Sequence, residues 1–390
     1  MIDRRAFLQS IAAGAAALGL GGERASGQAA ASGEAAAGPR IRSYRPLGKT
    51  GLQVSDLGCG AIDLLNTDVL RYAYDCGVNH FDTAEGYLNT NSEKSIGRAL
   101  KDVRSKVIIV TKHGIRSPSD IDRKVLIGRV EASLKRLQTD YLDIAMMHDI
   151  DVPAGIEHPE ILEGYARLKK EGKVRFVGFS THNAAVMLPK ALESPLWEVV
   201  LLIYNHMEGE KAESAIREAR AKGVGLIAMK AFAGALQGNL KALAGDKMKY
   251  SHAAIRWVLG NPSIDACLVS LSTFSHVDDY LAASGTKLDR PDLKLLARYQ
   301  REAGPVYCRV SCGECLSACP RGVPVNDILR YSMYYESYGR ERNAMELYAA
   351  LDPSRRAGAC AACEAPCQAA CPYGLGVRER LARSHEILSA

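Results

Sequence analysis

Between Val54 and Ser270 the chain alternates short apolar runs with longer segments of helical periodicity. Eight runs have strand character: Val54–Cys59, Asn79–Asp82, Lys106–Lys112, Tyr141–His148, Arg175–Ser180, Val199–Tyr204, Gly225–Met229 and Ala266–Ser270. Helical stretches separate them, among them Ile121–Leu137, Pro159–Glu171 and Glu210–Lys222. Strands alternating with helices imply βα units around a parallel sheet. Eight such units over roughly 250 residues predict a closed (β/α)8 barrel of the TIM type rather than an open sheet. A doubly wound sheet would also place a glycine-rich phosphate turn after its first strand. Here Gly58-Cys59-Gly60-Ala61 lacks the third glycine of that fingerprint.

In such a barrel the chemistry sits where the strands end, at the C-terminal face. Asp82 closes the second strand, Tyr87 lies in the loop after it, Lys112 closes the third strand and His148 the fourth. A charge at a buried strand end is costly unless it has a partner or a task. One such residue is more often structural, but four of these types at successive ends point to a site.

The two ends of the chain depart from this pattern. Asp3-Arg4-Arg5-Ala6-Phe7-Leu8-Gln9 precedes an apolar run, Ile11 to Leu20, that is too short to span a bilayer comfortably, and small residues follow. Residues 1–31 resemble a twin-arginine export signal, with residues 32–42 as a flexible linker; an ordinary N-terminal helix is the alternative. The signal implies passage through the twin-arginine export machinery and a periplasmic location. The barrel is expected over residues 43–290.

Residues 291–390 hold eight of the eleven cysteines, while Cys59, Cys76 and Cys267 are scattered among apolar neighbours and read as small buried hydrophobes. The eight form two runs, Cys308-x3-Cys312-x2-Cys315-x3-Cys319-Pro320 and Cys360-x2-Cys363-x3-Cys367-x3-Cys371-Pro372. Both runs end in Cys-Pro and resemble the bacterial ferredoxin pattern, each with one spacing a residue longer than usual. Four close thiolates suit a [4Fe–4S] cluster; zinc and disulfides remain alternatives. In two-cluster modules the last cysteine of a run serves the other cluster. That pairs Cys308, Cys312 and Cys315 with Cys371, and Cys360, Cys363 and Cys367 with Cys319. The helical pattern of Val325 to Leu351 predicts a mainly helical ferredoxin-like domain.

Hydrophobic residues make up 47% and charged residues 24% of the 390, a globular balance. The net charge of +6 comes without a basic run, so no nucleic-acid partner is expected.

The segments Leu47-Gly48-Lys49-Thr50-Gly51, Phe81-Asp82-Thr83-Ala84-Glu85-Gly86-Tyr87, Ser92-Glu93-Lys94-Ser95-Ile96-Gly97 and Val177-Gly178-Phe179-Ser180 resemble the aldo-keto reductase family. The resemblance runs from about Tyr44 to Ala283 and implies that Asp82, Tyr87, Lys112 and His148 are the catalytic tetrad. It also implies hydride transfer between NAD or NADP and a small carbonyl or alcohol. Tyr87 would be the proton donor, with its pKa of about 10 lowered by the Lys112 ammonium. Asp82 would hold Lys112, and His148 would orient the carbonyl.

For the cofactor the resemblance implies Ser180 and Asn205 at the carboxamide and Met229 at the position of a stacking ring. Leu201 stands where a glutamine is frequent. Ser272 and Thr273 would seat a phosphate at a capped helix start. No basic clamp for a 2′-phosphate is visible in Ser270 to His276, which leaves NAD and NADP open. Nicotinamides give hydrides and clusters pass single electrons, and no flavin motif links them. The clusters are thus expected to be structural or to serve a redox partner protein. The competing reading is an exported electron-transfer protein whose barrel is only a scaffold.

Overall fold

A computed structural model describes residues 38–115, 117–208, 210–234 and 247–390. The segments expected to be an export signal and most of the linker lie outside the described residues.

A short hairpin opens the chain: β1 (Tyr44–Pro46) pairs antiparallel with β2 (Gln53–Ser55). Eight parallel strands then close a barrel: β3 (Leu57–Gly60), β4 (His80–Asp82), β5 (Ile108–Gly114), β6 (Leu142–His148), β7 (Val174–Thr181), β8 (Val199–Ile203), β9 (Gly225–Met229) and β10 (Ala266–Ser270), with β10 returning to β3. The strand expectations hold with one correction. The run Val54–Cys59 is not one strand, because the buried Asp56 interrupts it. Its carboxylate accepts from Ser284 Oγ at 2.7 Å and from the Gly285 amide at 2.8 Å, which turns the backbone from the hairpin into the barrel.

Strand side chains alternate between faces, so each strand sorts its residues by parity. Val110, Ile144, Met146, Val199, Leu201, Ile227 and Ala266 fill the barrel interior. Leu57, Phe81, Ile109, Ala145, Val177, Val200 and Leu226 face the helices in the outer core. Carried to the strand ends, the inward parity falls on Asp82, Lys112, His148, Ser180 and Met229.

After β10 the described residues form helices and turns. The chief helices are Arg290–Ala303, Val325–Tyr338, Glu341–Ala349 and Val377–Leu388. The expected helical segment Val325 to Leu351 is two helices, divided at Gly339, whose positive φ of 63° suits a residue without a Cβ. The helical part has its own core, centred on Tyr299, Tyr307, Ile328, Tyr348 and Leu381. That core also draws in Met207, Tyr250, Ala253 and Ala254 from the barrel sequence. Residues 38–390 are one compact unit.

Candidate active site

The four residues at the strand ends converge. Lys112 and Asp82 are 1% and 2% exposed and form a direct ion pair; Lys112 Nζ also donates to the Thr83 carbonyl at 2.8 Å. Burial pushes the Asp82 carboxyl up and the Lys112 ammonium down, so each charge depends on the other. Lys112 Nζ lies 5.1 Å from the centre of the Tyr87 ring, and the His148 ring meets Tyr87 edge-on at 5.5 Å. Beneath the pair, both ring nitrogens of buried His80 lack a partner, and burial holds its pKa down to about 4.

The electrostatics of Tyr87 correct the expectation from sequence. Burial first, and the Asp82 carboxylate second, hold its phenol well above 10. The Arg340 guanidinium pulls the other way and does not offset them. Tyr87 therefore keeps its proton across the neutral range.

The residues expected to hold a cofactor divide. Ser180 Oγ accepts from the Asp149 amide at 2.8 Å and retains its own proton to donate. Met229 is half-buried at the inner end of β9. Thr273 caps the helix Phe274–Leu281 by accepting from the His276 amide at 3.1 Å, with the partly exposed Ser272 before it. Asn205 braces its own loop: its Oδ1 accepts from the amides of Met207 and Glu208 at 2.9 and 3.0 Å, and its Nδ2 donates to the Lys230 carbonyl at 3.1 Å. The second Nδ2 proton is left for a further acceptor.

The barrel mouth has a roof that the sequence did not announce. The helix Val325–Tyr338 and the residues around it bond to loops after five of the eight barrel strands. Arg340 grips Asp63 in the loop after β3 with two bonds, at 2.8 and 3.1 Å. Arg330, 4% exposed, donates to Asp149 after β6 at 3.0 Å and lies 2.7 Å from His182 after β7. Tyr307 and Ser311 bond Glu208 after β8. Lys230, directly after β9, donates to Tyr334 Oη at 2.8 Å. Lys230 and His182 were findable as polar residues just past strand ends. Arg330, Tyr334 and Arg340 were not, because they lie more than a hundred residues further along the chain than most of their partners.

Asp149, Asp151 and His182 bring their ligand atoms within 4.8 Å of one another. Arg330 already supplies a cation there. His182 Nδ1 is 2.6 Å from Asp149 Oδ1, and although burial and Arg330 oppose it, the two aspartates raise its pKa to about 9. The protonated ring donates to Asp149, and Arg330 faces it as a neighbouring cation that Asp149 screens.

The eight clustered cysteines carry no disulfide. Cys308, Cys312, Cys315 and Cys371 line one hollow, and Cys319, Cys360, Cys363 and Cys367 line another. Among the described residues no three of these sulfurs lie within 4.8 Å of one another. A tetrahedral zinc, with Zn–S near 2.3 Å, would draw its four sulfurs to about 3.8 Å apart. Backbone amides point at the sulfurs of Cys319 and Cys363, from Val323 and Ala365, at 3.4 Å each. Burial and then the neighbouring thiols push Cys315 and Cys360 up to about 11.

Comparison with known proteins agrees with the barrel. The model of the Aldo/keto reductase family matches residues 63–243. L-galactose dehydrogenase of Arabidopsis thaliana is 31% identical over 277 residues, covering 61% of this chain and 87% of that protein. An aldo-keto reductase of Fusarium vanettenii is 28% identical over 65% of this chain and 90% of its own. The holo form of an aldo-keto reductase from Bacillus halodurans superimposes with a TM-score of 0.54 at 25% identity, over 66% of this chain and 95% of that one. Together with the closed barrel and the inward convergence of polar residues at its C-terminal end, these matches show that the chain belongs to the aldo/keto reductase family of NAD(P)-dependent oxidoreductases.

Proposed function

We propose that the protein reduces a small carbonyl compound, or oxidises the matching alcohol, at Asp82, Tyr87, Lys112 and His148, and that its helical part carries two [4Fe–4S] clusters. The observation that carries the first half is the convergence of Lys112 and His148 on Tyr87 at the barrel mouth. A bound nicotinamide supplies or accepts the hydride. Ser180 donates a hydrogen bond toward it, Met229 offers an apolar surface beside it, and Ser272 with Thr273 offers a helix N-terminus to its phosphates. Tyr87 enters the reaction protonated and gives its proton to the carbonyl oxygen as negative charge develops there. Arg340, whose charge acts to lower this phenol, favours the phenolate that remains, and Lys112 lies 5.1 Å from the ring centre. His148 orients the same oxygen.

Replacing Tyr87 with phenylalanine removes the donor and leaves the ring. Turnover of small aldehydes should fall about 10²–10⁴-fold with nucleotide affinity kept. Full activity in that variant would refute the assignment.

The cluster reading is supported by two sets of four cysteines, each set lining one hollow. Cys308, Cys312, Cys315 and Cys371 would hold one cluster, and Cys319, Cys360, Cys363 and Cys367 the other. Their sequence spacing and the amides aimed at Cys319 and Cys363 fit thiolate ligands to iron. Arg4 and Arg5 support export of the folded, loaded protein to the periplasm. Replacing both with lysine should retain it in the cytoplasm, and unchanged export would exclude that route.

A further inference from the structure

The roof places a second tyrosine–lysine pair over the tetrad. Tyr334, 9% exposed, projects from the helix Val325–Tyr338 and accepts a hydrogen bond from Lys230 Nζ at 2.8 Å. The two also stack, with Nζ 4.8 Å from the ring centre. Tyr334 lies close enough to Tyr87 for its charge to act on that phenol. Lys230 is the first residue past β9 and holds a left-handed backbone, φ 58°, uncommon for a side chain other than glycine, asparagine or aspartate. Asn205 fixes this conformation by bonding the Lys230 carbonyl. Strain held in place by a buried amide at a strand end is a mark of a functional position.

We infer that Tyr334 and Lys230 form a hydroxyl-binding subsite beside the tetrad, matched to substrates that carry a hydroxyl next to the carbonyl. The inference rests on the carbonyl-reductase reading for what happens at Tyr87. A hydroxyl is both donor and acceptor. The pair offers an acceptor oxygen on Tyr334 and donor protons on Lys230, side by side, so one hydroxyl satisfies both. Burial opposes ionisation of Tyr334, but Lys230, Arg330 and His182 outweigh it and bring the phenol down to about 7, which strengthens its acceptor character. Asp149 acts the other way. Tyr87, Tyr331, Tyr338 and Arg340 are further charged or titratable neighbours, with Arg340 6.0 Å from its ring centre. A plain aldehyde leaves Tyr334 and Lys230 bonded only to each other, whereas a hydroxyl adds a bond to each, so the site favours the hydroxyl-bearing substrate.

The test compares glyceraldehyde with propanal as substrates of the intact, cluster-loaded protein. Wild type should prefer glyceraldehyde in kcat/KM. In Tyr334→Phe the preference should fall by about 10- to 150-fold, the worth of a hydrogen bond to a charged group, mainly through the KM for glyceraldehyde. Lys230→Met, a second variant in case the first folds poorly, should fall in the same direction. An unchanged preference in both variants overturns the subsite. A second readout needs no turnover: sorbitol should produce a saturable ultraviolet difference at the tyrosinate band in wild type, lost in Tyr334→Phe. No such difference in wild type, or the same one in the variant, also overturns it. If sorbitol binds in this way while neither aldehyde is reduced, the reductase reading fails and the subsite stands.

Discussion

Asp82 and Lys112 are each nearly inaccessible, and burial opposes the charge of both. Such a pair contributes little net stability, but removing one member leaves an uncompensated buried charge. Asp82→Asn is expected to lower unfolding stability by about 3–5 kcal/mol. In a denaturant titration the midpoint should drop with the slope unchanged; an unaltered midpoint would mean that Lys112 sheds its proton at small cost. The same variant bears on chemistry, because without Asp82 the ammonium no longer has a fixed place beneath Tyr87.

The helix Val325–Tyr338 works on both of its sides. Val325, Asn326 and Leu329 line the hollow of Cys308, Cys312, Cys315 and Cys371, while Arg330 and Tyr334 meet the barrel. Its docking should depend on pH through His182. The folded-state pKa of about 9 lies above the ordinary 6.5, so the protonated ring adds stability that is complete below pH 6.5. That stability is lost as pH rises through 9. The shift corresponds to about 3 kcal/mol at most, at about 1.4 kcal/mol per unit. Tyr334, held down to about 7, adds stability as pH rises over the same window, so the His182 part is read as a difference. In thermal melts between pH 6 and 10 the margin of wild type over His182→Gln should shrink as pH rises; a margin that stays level would place the ring outside the Asp149 and Asp151 network.

Across the whole molecule, the two cysteine runs cross. Cys371 joins the first run and Cys319 the second. Cys319→Ser should therefore remove the iron held by the second run and Cys371→Ser the iron held by the first, each variant keeping about half the wild-type iron and acid-labile sulfide. Loss from the variant's own run would show that each run binds separately. The roof would give such clusters a structural consequence, since the helix that lines one of the cysteine hollows also meets the loops at the barrel mouth. Loss of the first cluster should then weaken binding at the mouth as well as the helical core.

The barrel was legible in the sequence because strand and helix periods are local. Parity along each strand carried Asp82, Lys112, His148, Ser180 and Met229 to the inner end without long-range information. The cysteine runs were equally legible, since ligand spacing is written within a dozen residues. Three things depended on tertiary structure. Asp56 broke a continuous apolar run because Ser284 and Gly285, far along the chain, bond its carboxylate. The pKa of Tyr87 rose because burial and Asp82 outweigh Arg340, a balance set by the packing of the helical part on the barrel. Asn205 also braces Lys230, because the loop Asn205–Glu208 folds back on its amide. The roof residues Arg330, Tyr334 and Arg340 carry no local signature, as helix periodicity marks only which face is buried and not what it is buried against. That pairing was decided by the docking of the helical part on the loops of the barrel.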